Sequence, residues 1–216
     1  MTKNFIIYGY PGAGKTTQIE MLKKSGFRFF HVAVGKLLRE IAADDTPLGR
    51  KVKDSMASGE LVDEDFVLRL VKDTLRTADR NLPIIFDGYP RSMNQIRGME
   101  EICREYGLDI PTLVCLKITK EEAVRRLTDR RICSVCKENF SFTELPDKEK
   151  CLKCGGKLIQ REDDKPEAIE SRFDLFDLQF GVIRHHYQSL GKYVEIDGMK
   201  SEDEVQEKII SLVRPI

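Results

Sequence analysis

Hydrophobic positions along the chain follow two patterns: short apolar runs, and longer stretches in which apolar residues recur every third or fourth position. The runs at Phe5–Tyr8, Gly26–Val32, Pro83–Asp87, Thr112–Ile118 and Tyr193–Gly198 are too short for helices and read as buried strands. Helical periodicity covers Lys15–Lys24, Gly35–Ala42 and a segment from Thr46-Pro47 to Ser58, which Gly59 closes as a C′ glycine. A further helix starts at Asp63 as N-cap and buries Phe66, Val67, Leu70, Val71 and Leu75. Helices follow over Met93–Tyr106, Lys120–Arg131, Pro166–Leu190 with a break near Gly181, and Glu202–Val213. Asp164, Pro166 and Glu167 form a capping pattern: N-cap acid, early proline and N3 glutamate. Lys137–Phe142 alternates like a strand within an otherwise turn-rich stretch. Strands alternating with helices predict an α/β fold around a parallel sheet.

Composition narrows the class. A chain of 216 residues suits one domain with an insertion. Basic and acidic residues balance at 36 each, so no global basic surface draws nucleic acid. No apolar run approaches the ~18 residues of a membrane span. Met1–Asn4 leads into the first strand without the features of a leader peptide. The expectation is a soluble cytoplasmic protein with no membrane or nucleic-acid partner.

After the first strand, Gly9-Tyr-Pro-Gly-Ala-Gly-Lys15-Thr16 fits G-x-x-x-x-G-K-[ST], with a helix directly behind it. Strand, glycine-rich loop and helix in that order form a phosphate cradle. Backbone N–H groups curl around the anion and the helix N-terminus adds partial positive charge. Lys15 is placed to reach the outer phosphates, and a following hydroxyl to face Mg²⁺. The strand ending at Asp87 then supplies the carboxylate expected beside such a loop to hold Mg²⁺ through water.

Cys133-x-x-Cys136 and Cys151-x-x-Cys154 are two knuckles at zinc-ribbon separation, predicting a closed, structural four-thiolate Zn²⁺ site. Metal binding supplies folding free energy to an insertion too small for its own core. Cys103 and Cys115 have no metal-binding spacing and read as packed thiols, His31 reads as structural, and His185 and His186 as surface or helix-packing residues.

Arg39, Arg91, Arg126, Arg130, Arg161 and Arg172 flank predicted loops or the insertion. Guanidinium groups bind phosphate bidentately and stabilise a loose phosphoryl transition state. No loop looks like a general-base loop, which suits an acceptor that is itself an ionised phosphate. Phosphoryl transfer therefore leads over hydrolysis or switching. A zinc-ribbon protein binding nucleic acid is the rival from another class.

At these residues the chain resembles the adenylate kinase family, in its long form with a zinc-binding lid. The resemblance rests on GYPGAGKTTQ, on DGYPRSMNQ from Asp87 to Gln95, on RLTDRRICSVC from Arg126, on QREDD followed by Arg172, and on Tyr193–Lys200. It implies a P-loop kinase fold, three-layer α/β/α with a five-stranded parallel core. It also implies core segments 1–32, 63–129 and 167–216, a helical monophosphate-binding subdomain at 33–62 and a zinc-ribbon-like lid at 130–166. The implied activity is Mg²⁺-dependent ATP + AMP = 2 ADP by a monomer, with a kinase for UMP or CMP as the alternative. The implied ATP contacts are Gly12, Ala13, Gly14, Lys15, Thr16, Thr17, Arg126, Arg130, Asn139, Phe140 and Lys200. The implied AMP contacts are Val34, Arg39, Glu60, Leu61, Val62, Gly88, Arg91, Gln95, Arg161 and Arg172. Lys15, Asp87, Arg91, Arg126, Arg130, Arg161 and Arg172 carry the reaction in this reading. The chain departs from the family at Thr16, which replaces a usual glycine and leaves open whether Thr16 or Thr17 serves Mg²⁺. It departs again at Val34, which lacks a hydroxyl near the acceptor base, and at Lys36, which replaces an acid.

Overall fold

The computed structural model describes residues 3–213; positions 1–2 and 214–216, the outer edges of the expected core segments, lie outside the described residues. In chain order the elements are β1 (Phe5–Tyr8), α1 (Lys15–Lys24), β2 (Phe30–Ala33), α2 (Val34–Ala42), α3 (Pro47–Ser58) and α4 (Glu64–Leu75). Then come β3 (Ile84–Asp87), α5 (Met93–Tyr106), β4 (Thr112–Lys117), α6 (Lys120–Asp129), β5 (Arg130–Cys133), β6 (Asn139–Ser141) and β7 (Leu158–Ile159). A 3-10 turn at Glu162–Asp164, α7 (Pro166–Ser189), β8 (Tyr193–Asp197) and α8 (Glu202–Val213) complete the chain.

The central sheet has five strands in the order β2-β3-β1-β4-β8, all paired in parallel. Because side chains alternate along a strand, Ile6, Tyr8 and Phe86 enter one core with Val71 of α4, Met99 and Ile102 of α5, and Tyr187 of α7. Phe5, Ile7 and Ile85 enter the other core with Ile19 and Leu22 of α1, Leu127 of α6 and Ile209 of α8. Burial on both faces is what a parallel sheet requires. Register puts Asp87 beside both Ile7 and Ala33, so the end of β3 lies against the start of the glycine loop. Ligands of open α/β sheets bind outside these carboxyl ends.

Helix starts follow the sequence where a short polar side chain is available. Thr46, Asp63, Ser92 and Thr119 each accept a backbone N–H from three residues on, at 2.8–3.2 Å. Between α6 and α7, β5–β7 form a separate antiparallel sheet in the order β6-β5-β7. Its buried cluster is small: Cys133, Leu145, Cys151 and Leu158, with Cys136 and Phe140 packed against it. Among the described residues no helix is long and apolar enough to cross a membrane.

Local patterns yield to tertiary contacts in several places. Helix α6 stops at Asp129 and not at Arg131. The Asp129 carboxylate accepts Ser141 Oγ at 2.6 Å and the Thr143 N–H at 3.0 Å, turning Arg130 and Arg131 into β5. Helix α7 runs unbroken past Gly181; a mid-helix glycine costs about 1 kcal/mol, which the packing of Phe173, Phe176, Phe180, Ile183 and Tyr187 outweighs. Asp164 does not cap α7: Lys165 is the N-cap, no side chain caps the helix, and the Asp164 carboxylate is taken by arginines. Strand β2 starts at Phe30 because residues after α1 make a turn, with the Phe27 N–H on the Leu22 carbonyl.

Candidate active site

The site begins with a loop that has few side chains. Gly9 has φ +137°, and a Cβ there would lie 2.5 Å from the Leu116 carbonyl oxygen, so only glycine lets the loop approach β4 this closely. Gly14 opens α1 in the left-handed conformation without a side-chain cap, which leaves the first N–H groups of the helix for an anion. Lys15 folds back over the loop and donates to the carbonyls of Gly9 (2.8 Å) and Tyr10 (2.7 Å). Withdrawal from water pushes its ammonium down to about 7; Arg91, Arg172 and Arg130 add to that, and Asp87 opposes it.

Asp87 sits at the loop's edge. Thr16 Oγ1 donates to Asp87 Oδ2 at 3.4 Å, and His31 Nε2 lies 3.7 Å from the same oxygen, without a hydrogen-bond partner. Burial works against the Asp87 carboxylate, but His31, Lys15 and Arg91 outweigh it and hold the carboxyl below its usual range. A carboxylate and a hydroxyl side by side are the hard oxygen donors that suit Mg²⁺. The hydroxyl is that of Thr16.

The arginines converge on one cavity of about 1840 Å³ between the glycine loop, the α2–α3 segment and the 130–164 segment. Arg39, Arg91, Arg126, Arg130, Arg161 and Arg172 all line it. Arg91 lies flat over Gly88, with Nε donating to the Gly88 carbonyl at 2.8 Å; a Cβ on Gly88 would meet the guanidinium at 2.9 Å. Arg126 donates to Glu122 at 2.7 Å and to the Gly198 carbonyl at 3.1 Å. Arg130 donates through Nε and Nη2 to both Asp164 oxygens, at 2.8 and 2.5 Å, and Arg172 Nη1 reaches Asp164 Oδ1 at 3.3 Å. Arg161 donates to Asn139, while its Nε is buried without a partner.

Burial lowers Arg39 and Arg172, and with the charges of Arg130 and Arg39 it pushes Arg161 down to about 9. Asp163, though buried, is held below the usual carboxylate range by Arg172, Arg161 and Arg130. Those carboxylates do not balance the cations. The cavity is therefore short of negative charge, and a polyanion is the ligand that satisfies it.

At the far end of the lid sheet the Sγ atoms of Cys133, Cys136, Cys151 and Cys154 lie within 4.8 Å of one another. The two knuckles match: the Val135 N–H reaches Cys133 Sγ and the Lys153 N–H reaches Cys151 Sγ, both at 3.4 Å. Tetrahedral Zn–S bonds of about 2.3 Å imply sulfurs about 3.8 Å apart, close to the observed Cys133–Cys154 (3.5 Å) and Cys136–Cys151 (3.6 Å) separations. The four residues fit a closed metal site.

Gly12, Ala13, Gly14, Thr17, Gly88, Asn139, Phe140 and Lys200 also line the cavity. Val34, Glu60, Leu61, Val62 and Gln95 do not. Val34 and Val62 are buried in the hydrophobic core, and Gln95 is buried, its Oε1 accepting the Arg91 N–H at 2.8 Å. Sequence reading missed His31 as a neighbour of Asp87, and Asp163 and Asp164 as partners of the arginines. The run Arg161-Glu-Asp-Asp164 was the available signal, masked by its capping pattern.

The adenylate kinase family model matches residues 7–192. An adenylate kinase of Pyrococcus abyssi is 38% identical over 212 residues, covering 97% of this chain and 95% of that protein. One from Thermosipho africanus is 34% identical over 213 residues, covering 98% and 99%, and one from Archaeoglobus fulgidus is 34% identical with 99% of each covered. Identity at this level over nearly the whole chain, together with the family match across the loop, Asp87 and the arginines, shows that the chain belongs to the adenylate kinase family.

Proposed function

We propose that the chain catalyses reversible transfer of the γ-phosphoryl of ATP to AMP, giving two ADP. The observation that carries this reading is the convergence of Lys15 and the six arginines on one cavity beside Asp87. Phosphoryl transfer needs positioning and charge stabilisation more than covalent chemistry. An AMP phosphate is already ionised, so no base is required. Lys15 releases the Gly9 and Tyr10 carbonyls and follows the moving phosphoryl group. The backbone from Gly12 to Thr17 holds the donor phosphates, with Arg126, Arg130, Asn139, Phe140 and Lys200 on the donor side. Arg39, Arg91 and Gly88, which line the cavity, hold the acceptor phosphate, and Gln95 positions Arg91 by accepting its backbone N–H; Val34, Glu60, Leu61 and Val62 lie outside that lining and reach the acceptor base only once the segment 33–62 closes. Arg161 and Arg172 span both phosphate chains.

Mg²⁺, held by Asp87 and the hydroxyl of Thr16, would neutralise charge on the donor phosphates. Zn²⁺ on the four cysteines would staple the lid. Segments 33–62 and 130–166 close over the nucleotides and exclude water, which protects ATP from hydrolysis. The enzyme works as a monomer, in the cytoplasm, a compartment that the free cysteines suit. A panel of nucleoside monophosphates with Mg·ATP tests the acceptor. AMP is expected to give the highest kcat/KM; a clear preference for UMP or CMP overturns the assignment.

A further inference from the structure

Tyr10 stands at the second position of the glycine loop, and its side chain turns away from the cavity. Its ring packs edge-on against Phe173 of α7, with centroids 5.2 Å apart at 82°, and tilted against Phe176 at 4.2 Å. Phe176 in turn stacks on Tyr8 of β1 and on Phe180. The Tyr10 hydroxyl donates to Asp177. Burial, together with Asp177, pushes the phenol up to about 12, so it remains a donor throughout the working pH range.

Few other side chains of the loop anchor it. Gly9, Gly12 and Gly14 carry no side chains, and Ala13 contributes one methyl to the core. Meanwhile the Tyr10 carbonyl accepts both the Ala13 N–H at 3.0 Å and Lys15 Nζ at 2.7 Å. Helix α7 also carries Arg172, adjacent to Phe173. One side chain thus joins the backbone that sets the phosphate cradle to the helix that carries a phosphate-binding arginine.

We infer that Tyr10 is a positioning residue for donor binding: its ring and hydroxyl tether the phosphate loop to α7 and fix the cradle relative to Arg172. The inference rests on the ATP-binding reading of the loop but not on catalysis. A loop freed by truncation at this point must be ordered again by each incoming ATP, whereas on the acceptor side Arg39 and Arg91 sit on α2 and after β3, and Arg172 keeps its own bonds to Asp163 and Asp164.

The test is calorimetric titration of ATP and, separately, of AMP into Tyr10→Ala, Tyr10→Phe and Phe180→Ala. Phe180→Ala damages the same aromatic stack without touching the loop, and so controls for lost stability. Tyr10→Ala is expected to weaken ATP binding about tenfold and AMP binding by less than about twofold; tenfold is about 1.4 kcal/mol. Tyr10→Phe keeps the ring and is expected to recover most of the ATP affinity, and Phe180→Ala to leave both affinities near wild type. Equal weakening of ATP and AMP, no weakening, or the same ATP-selective loss in Phe180→Ala overturns the inference. A wild type that binds ATP but forms no ADP overturns the proposed function and leaves the tether standing.

Discussion

Replacing Asp164 by asparagine tests how the free protein tolerates its own phosphate site. The Asp164 side chain is fully buried and takes three guanidinium bonds, two from Arg130 and one from Arg172. Breaking a buried pair by removing one partner costs roughly 3–5 kcal/mol. The arginine side chains keep 21% and 15% of their exposure, and asparagine retains one accepting oxygen. A cost just below that range, about 2–3 kcal/mol, is therefore expected. At about 2–4 °C per kcal/mol for a chain of this size, the melting midpoint falls by about 4–12 °C. Bound triphosphate supplies the negative charge that Asp164→Asn lacks, so saturating ATP should shrink the deficit to less than half and bind the variant more tightly than the wild type. Scanning calorimetry of both proteins with and without ATP reads this directly. An unchanged midpoint, or a deficit that ATP leaves intact, would refute the idea that Asp164 stands in for ligand phosphate.

Lys15 gives a pH signature. Its folded value of about 7 lies below the ordinary 10.5, so between those limits the unfolded chain binds the extra proton and this group makes stability rise with pH; denaturant titrations of Lys15→Met should show a flatter rise over that window. ATP should restore the proton, so binding near pH 8 takes up protons in wild type and not in Lys15→Met, read from calorimetry in buffers of different ionisation enthalpy. Elemental analysis should find one zinc per chain, and strong chelation should melt the small lid core while the parallel sheet stays folded; an unchanged lid in backbone NMR spectra after metal removal contradicts the structural role. Burial pushes the thiols of Cys103 and Cys115 up to about 12 and about 11, so both should resist alkylation in the native zinc-loaded protein at pH 8 and react on unfolding.

Features fixed by adjacent residues were legible in the sequence. The glycine loop, the aspartate closing β3 and the paired cysteines each encode their geometry within a few positions, and the strand runs encode burial on both faces. Features decided across the chain were not legible. Asp164-Lys-Pro-Glu167 is a good capping pattern, but two arginines from β5 and α7 offer the carboxylate stronger, charge-assisted bonds. Arg130 continues a helical pattern, yet the Asp129 contacts with Ser141 and Thr143 turn it into a strand facing the cavity. His31 looked structural because its nearness to Asp87 exists only through the pairing of β2 with β3. Which threonine hydroxyl faces Asp87 is stated by no local pattern; the Thr16 hydroxyl donates to Asp87 Oδ2.

Transfer to a phosphate acceptor with water excluded is read out most directly by phosphorus NMR of the purified protein with ATP, AMP and Mg²⁺. ATP and AMP are expected to fall together as ADP rises by two for each pair consumed, with no inorganic phosphate and with the reaction abolished in Lys15→Ala. ATP loss matched by inorganic phosphate, or ADP formation that Lys15→Ala leaves intact, would contradict it.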